Sequence, residues 1–148
     1  MDSGLLNLEG VLTIEQVLGA KLKKTCDSLT ALTPDVVEGY KEVAAEESCV
    51  IIGRCADFIL KDNPNVIRLF FYAPREDCIT RVKTQNGGKE KDIIRKIEKT
   101  DKYRSDYYKY HTGKDWNDSR NYDFCLNTAS MSYEKLVAVV KAYIEQYA

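Results

Sequence analysis

The run Cys49-Val50-Ile51-Ile52, closed by Gly53 and followed at once by Arg54, Cys55, Ala56 and Asp57, constrains the chain most. Four consecutive apolar residues, three of them β-branched and without alternation, predict a short strand covered on both faces, as strands are in a parallel sheet flanked by helices. Open α/β sheets bind ligands beyond the carboxyl ends of such strands. A guanidinium and a carboxylate three residues apart at that rim suit an anionic, hydrogen-bonding ligand, because Arg54 can fork onto a phosphate and Asp57 can accept from an amine or hydroxyl. The same pair reads equally as the cap of a helix beginning near Ala56.

Two further stretches complete the strand pattern. Val66 to Ala73 is aromatic, β-branched and closed by Pro74, and Tyr122 to Thr128 (YDFCLNT) has the same character. Between and around them the spacing predicts helices. Thr33-Pro34-Asp35 starts one that runs to about Glu47, a short turn of helix follows Asp57 until Asp62-Asn63-Pro64-Asn65 breaks it, and residues 75–86 form another that ends at Asn86-Gly87-Gly88. A long helix from Lys89 reaches Gly113. It carries Ile93, Ile94 and Ile97 on one side and Lys91, Arg95, Lys99 and Lys102 on another. Ser132 caps a last amphipathic helix through Leu136, Val139, Val140, Tyr143 and Ile144. Thr13 with Gln16 makes a capping-box pattern, and Ile14, Val17, Leu18 and Leu22 predict a helix over roughly 14–28. Strands alternating with helices imply an α/β fold with a parallel sheet of about three strands.

The chain of 148 residues fits one domain, 1–148, with a core of ordinary size. Its 22 basic and 23 acidic side chains leave a net charge of −1, which gives no global pull toward nucleic acid or an anionic membrane. Five cysteines without a CxxC pair, mostly inside apolar runs, fit buried thiols of a cytoplasmic protein. With His111 the only histidine, no zinc-ligand spacing exists. No apolar run approaches the roughly 20 residues of a membrane span, and the start lacks the basic region of a signal peptide.

The segment from Asp101 to Trp116 (DKYRSDYYKYHTGKDW) mixes cations with aromatics. Such a mixture can meet charge on a phosphoryl group in transfer, stack single-stranded nucleic acid, or form a solvated helix face with its tyrosines on the core. Nucleic acid is the least favoured of these because the chain as a whole is near neutral.

Taken in order, CVIIGRCADFIL, the strand ending at Pro74, the cationic helical segment and NYDFCLNT resemble the cytidylate kinase-like family of P-loop nucleoside monophosphate kinases over about residues 34–148. The resemblance implies a three-layer kinase fold with residues 89–121 as a lid-like insertion and residues 1–33 as a divergent N-terminal segment. It implies that Arg54 and Asp57 would lie at the nucleoside monophosphate, CMP-like, site, that Arg81 would face the phosphates, and that Lys102 and Arg104 would be the lid cations at the transferring group. Phosphoryl transfer would use ATP and Mg2+. Two features depart from the family. Cys55-Ala56 separates the Arg and Asp of the plain motif, and no glycine-rich phosphate loop is written among the scattered early glycines Gly4, Gly10, Gly19 and Gly39. The alternative implied is a catalytically inactive nucleotide-binding or regulatory module. A sheet short of a strand would leave an edge open and so favour a homodimer.

Overall fold

The computed structural model describes residues 21–24, 34–46, 49–52 and 55–147. Along the chain come β1 (Lys21–Lys24), α1 (Pro34–Glu46), β2 (Cys49–Ile52), α2 (Ala56–Ile59), β3 (Leu69–Tyr72), α3 (Arg75–Asn86), α4 (Glu90–Thr112), a turn of 3-10 helix at Ser119–Asn121, β4 (Phe124–Asn127) and α5 (Tyr133–Tyr147). The strands form two parallel pairs, β1 with β2 and β3 with β4. The α/β architecture and parallel pairing agree with the sequence. The expected helix over roughly 14–28 does not: Lys21–Lys24 is a strand in register with Cys49–Ile52. Ladder bonds to an apolar neighbouring strand outweigh a helical period that rested on one leucine in those four residues. The rest of that predicted helix lies outside the described residues.

Pairing between β3 and β4 sets Leu69 opposite Phe124 and Tyr72 opposite Asn127. Alternate side chains leave the sheet on opposite faces. Leu69, Phe71, Phe124 and Leu126 turn to α5, where Phe71 and Val140 form a core cluster with Ile144 at its margin. Phe70, Tyr72 and Cys125 turn the other way, toward the helical excursion between the strands. The ladder is clamped at both ends. At the start, Arg68 donates from N, Nε and Nη2 to the Asp123 carboxylate at 2.8–3.2 Å, and the Asp123 amide donates back to the Arg68 carbonyl at 2.9 Å. At the end, the Thr128 amide and hydroxyl both donate to the Tyr72 carbonyl, at 2.9 and 3.0 Å.

Helices α3 and α4 pack through Cys78 and Val82 against Ile93 and Ile97. Gly87 (φ 65°) and Gly88 (φ 106°) make the hinge between them in backbone regions that side-chain-bearing residues avoid, which is the stop that Asn86-Gly87-Gly88 predicts. Among the described residues no helix is long and apolar enough to cross a membrane.

The core assignment is checked by stability. Phe71, 7% exposed, should cost about 3–5 kcal/mol when replaced by alanine, whereas Tyr110, 85% exposed on α4, should change urea stability by no more than about 0.5 kcal/mol when replaced in the same way.

Candidate functional site

The parallel β3–β4 pair opens at its carboxyl end into a cleft of about 660 Å³. The floor is the sheet face carrying Phe70, Tyr72 and Cys125, continued by Ala73. One wall is α3, from which Arg75 and Cys78 enter; the roof is the middle of α4, with Ile97, Asp101, Lys102 and Ser105; the far wall is the loop after α4, with Trp116, Asn117 and Ser119.

That loop is held from both sides. Gly113 ends α4 in the left-handed conformation (φ 72°), with its amide bonded to the Lys109 carbonyl at 2.9 Å. Lys109 Nζ reaches Asp115 at 3.2 Å. The buried Asn121 side chain donates to the Asp115 carbonyl at 2.7 Å, and the Tyr122 hydroxyl donates to the Trp116 carbonyl. Trp116 meets Phe70 edge to face at 5.6 Å between centroids, and Tyr122 stacks on Phe70 at 4.7 Å. Ring quadrupoles favour both arrangements. Asp118 caps the 3-10 turn and forks with Arg120, which holds its carboxyl down at about 2.

The cations of the cleft are Arg75 and Lys102. Arg75 contacts Glu98 at 2.9 Å and Lys102 contacts Asp106 at 2.6 Å, all four side chains being more than half exposed. Ion pairs that exposed are worth about 0–1 kcal/mol, so either cation can turn to an incoming anion at little cost. An aromatic floor, hydroxyl and amide groups on the walls and cations at the rim suit a ligand with a flat ring at one end and an anion at the other.

Behind the aromatic wall lies a second, buried cluster. Cys55 adopts the left-handed conformation (φ 62°), uncommon for a residue with a side chain, and turns the chain into α2. Two residues later the Asp57 carboxylate accepts from the Tyr108 hydroxyl of α4 at 2.8 Å. The neighbouring Asp57 and Phe58 backbone amides favour its charged form. Burial pushes the Asp57 carboxyl above its ordinary value, against the pull of these groups and of Arg68. Burial and the adjacent Asp57 carboxylate push the Tyr108 hydroxyl far up, and burial with Asp57 nearby does the same to Tyr122.

The residues expected from sequence are thus spread over several places. Lys102 lines the cleft. Arg104 is half-buried on the same helix, beside rather than in the lining. Asp57 sits in the buried cluster behind Tyr122. Arg81 is half-buried on α3, with Nη1 shielded from solvent and without a hydrogen-bond partner among the described residues. Arg54 lies outside the described residues. Arg75, Phe70 and Tyr108 were not singled out from sequence. Of the three, Tyr108 left a signal, because Ile97, Asp101, Ser105 and Tyr108 follow one another by four, four and three residues and so share a helix face.

Comparison with known proteins bears on this geometry. The model of the cytidylate kinase-like family matches residues 13–130. The chain belongs to the cytidylate kinase-like family. A crystal structure of an uncharacterized protein from Eubacterium ventriosum superposes with a TM-score of 0.81 at 24% identity, covering 97% of this chain and 93% of that one; that likeness concerns the fold. Among curated proteins the chain is 54% identical over 46 residues to the D-proline reductase proprotein PrdA of Acetoanaerobium sticklandii, covering 30% of this chain. It is 30% identical over 107 residues to the uronate isomerase of Corynebacterium glutamicum, covering 70% of this chain. The chain spans 7% and 20% of the length of those two relatives. Membership of the family supports a kinase-like, nucleotide-binding type of fold.

Burial of Asp57 has a consequence for acid stability. A carboxyl whose native pKa is raised favours the folded state below the unfolded value, about 3.9, and that contribution is lost as pH rises through the native value. Asp57→Asn keeps an oxygen for Tyr108 and removes the ionisation. The stability of Asp57→Asn relative to wild type, followed by urea unfolding from pH 3 to 7, should therefore rise with pH above about 4 and then level.

Proposed function

We propose that this chain binds a nucleotide in the cleft at the carboxyl ends of β3 and β4, as the acceptor-binding part of nucleoside monophosphate kinase-type phosphoryl transfer. The cleft itself carries the reading. It stands where open α/β sheets take their ligands, and it has an aromatic side for a base, where stacking is worth about 1–3 kcal/mol, and a cationic rim for a phosphate. In this assignment the base lies toward Phe70, Tyr72 and Trp116, with Asn117 and Ser119 in reach of its polar edge. The phosphate lies toward Arg75 and Lys102, Arg75 being able to fork onto two oxygens and Lys102 acting as a point charge. Lys102 keeps the role of lid cation; Arg75 joins it.

A phosphoryl donor makes further demands. Among the described residues no three His, Cys, Asp or Glu side chains converge to hold a metal ion, and the sequence contains no glycine-rich run to cradle a triphosphate. The described residues do not by themselves fit ATP with Mg2+, and no step is assigned to that group. What favours transfer is family membership, and what favours binding without transfer is the missing phosphate loop.

Trp116 is the chain's single tryptophan and lines the cleft, so its fluorescence reports occupancy without a label. Titration with CMP, UMP, AMP and GMP should give saturable quenching by at least one of them, weakened about tenfold in Lys102→Ala, as expected for loss of a charge-assisted hydrogen bond. Absence of quenching by all four would overturn the proposal. Diphosphate formed from labelled ATP and the bound monophosphate would assign transfer, and its absence would leave the binding module.

A further inference from the structure

Among the described residues, the buried side chains of the helix that roofs the cleft lie toward its two ends, and only one of the two sets is purely apolar. Helix α4 runs for 23 residues, and its buried side chains are Ile93, Ile97 and Tyr108. Ile93 and Ile97 belong to the core cluster with Cys78 and Val82 of α3. Tyr108, 4% exposed, is the buried side chain toward the other end of the helix and donates to Asp57, 51 residues earlier in the chain. The roof residues Asp101, Lys102 and Ser105 lie between the two sets. At 1.5 Å per residue the span from Ile97 to Tyr108 is about 16 Å, bridged by a helix whose intervening residues are half-buried or exposed.

We infer that Tyr108 is a positioning residue for the cleft: its hydroxyl, bonded to the Asp57 carboxylate, sets the height of the α4 roof and so the affinity of a site that Tyr108 does not line. This inference rests on the cleft being the nucleotide site. The chemistry favours a directional fastening. Apolar packing tolerates sliding of one helix on another, whereas a hydroxyl donating to an oxygen at 2.8 Å fixes distance and angle together. The acceptor sits in the first turn of α2, two residues after the left-handed turn at Cys55 that sets where the chain enters that helix. Among the described residues, the groups that face this carboxylate are Tyr108 from α4, Tyr122 from the end of the 3-10 turn before β4 and Arg68 just ahead of β3. Tyr122 also stacks on Phe70 of the cleft floor, so roof and floor meet the same buried cluster.

Removing one oxygen tests the inference. Tyr108→Phe keeps the ring and deletes the hydroxyl; Tyr110→Phe, the same change on the exposed face of the same helix, is the matched control. Amide hydrogen exchange of the whole chain is followed first, without ligand. Tyr108→Phe should speed exchange over residues 98–112 about tenfold and leave residues 90–97 and β3 within about twofold, the mark of local opening rather than lost global stability. Tyr110→Phe should change neither. Unchanged exchange over 98–112, or a uniform rise across the molecule, would overturn the positioning role. Nucleotide titration by Trp116 fluorescence follows. Dissociation constants in Tyr108→Phe should rise about tenfold with Tyr110→Phe unchanged, since a competent roof populated a tenth of the time weakens apparent affinity by that factor. Equal affinity in both variants would overturn it. If the wild-type chain binds none of the nucleotides, the functional reading fails, and the exchange measurement still decides whether Tyr108 fastens the roof.

Discussion

Parallel pairing of β3 with β4 is the constraint from which the rest of the site follows. Antiparallel strands can be joined by two residues, but parallel strands require the chain to return to the same end of the sheet before it can pair again. Between Tyr72 and Phe124 the return is made by α3, the Gly87-Gly88 hinge, α4 and the Trp116 loop. Because the chain leaves β3 at its carboxyl end, that excursion begins where a ligand would sit and is forced to wall it in. The clamps at each end of the ladder, Arg68 with Asp123 and Thr128 with Tyr72, fix the register. A shift by one residue would exchange the two faces. Phe70 and Tyr72 would then turn to α5, and Leu69 and Phe71 would turn to the cleft.

Division of labour between the two faces explains the choice of side chains. The face toward α5 is aliphatic and phenyl, with Tyr143 stacked on Phe124 at 4.8 Å and its hydroxyl reaching the Asp123 carbonyl at 3.3 Å. The opposite face is aromatic with polar atoms, and every described tyrosine hydroxyl buried there has an acceptor: Tyr108 on Asp57, Tyr122 on the Trp116 carbonyl. A buried carboxylate without partners would be costly. Asp57 is tolerated because the Tyr108 phenol donates to it, and the residual cost of burial is what lifts its pKa.

Much of this architecture was legible in the residues. Helix α3 stops at Asn86 and α4 at Thr112 because each is followed by a glycine at positive φ, left-handed at Gly113, and Ser132 precedes α5, its hydroxyl accepting from the Lys135 amide at 3.4 Å. These boundaries are local backbone chemistry, which a sequence states directly. The strand at Lys21–Lys24 was not legible, because its only reason to extend is a partner 28 residues away. Site residues divide along the same line. Lys102 was named through the family resemblance, and the structure puts it in the lining of the cleft. Arg75 could not, since its approach to the cleft depends on where α3 starts relative to Pro74 and on the sheet beneath it. Asp57, which the resemblance puts at the nucleotide site, accepts from Tyr108 in the structure. Nothing in the sequence near either residue couples them; the crossover does.

Family membership and the site geometry meet at α4. In the sequence this helix reads as an inserted, cationic lid, an element defined by what it carries. In the structure its cations Lys91, Arg95 and Lys99 point to solvent, and only Lys102 reaches the cleft. The helix acts there less through charge than through height, as a rigid bar resting on isoleucines at one end and on a hydrogen bond at the other. Rigid bars transmit displacement, so a change at either rest moves every residue between them. The site is therefore governed by buried contacts at the ends of its roof as much as by the side chains that line it, and substitutions behind the aromatic wall belong with those inside the cleft when its affinity is explained.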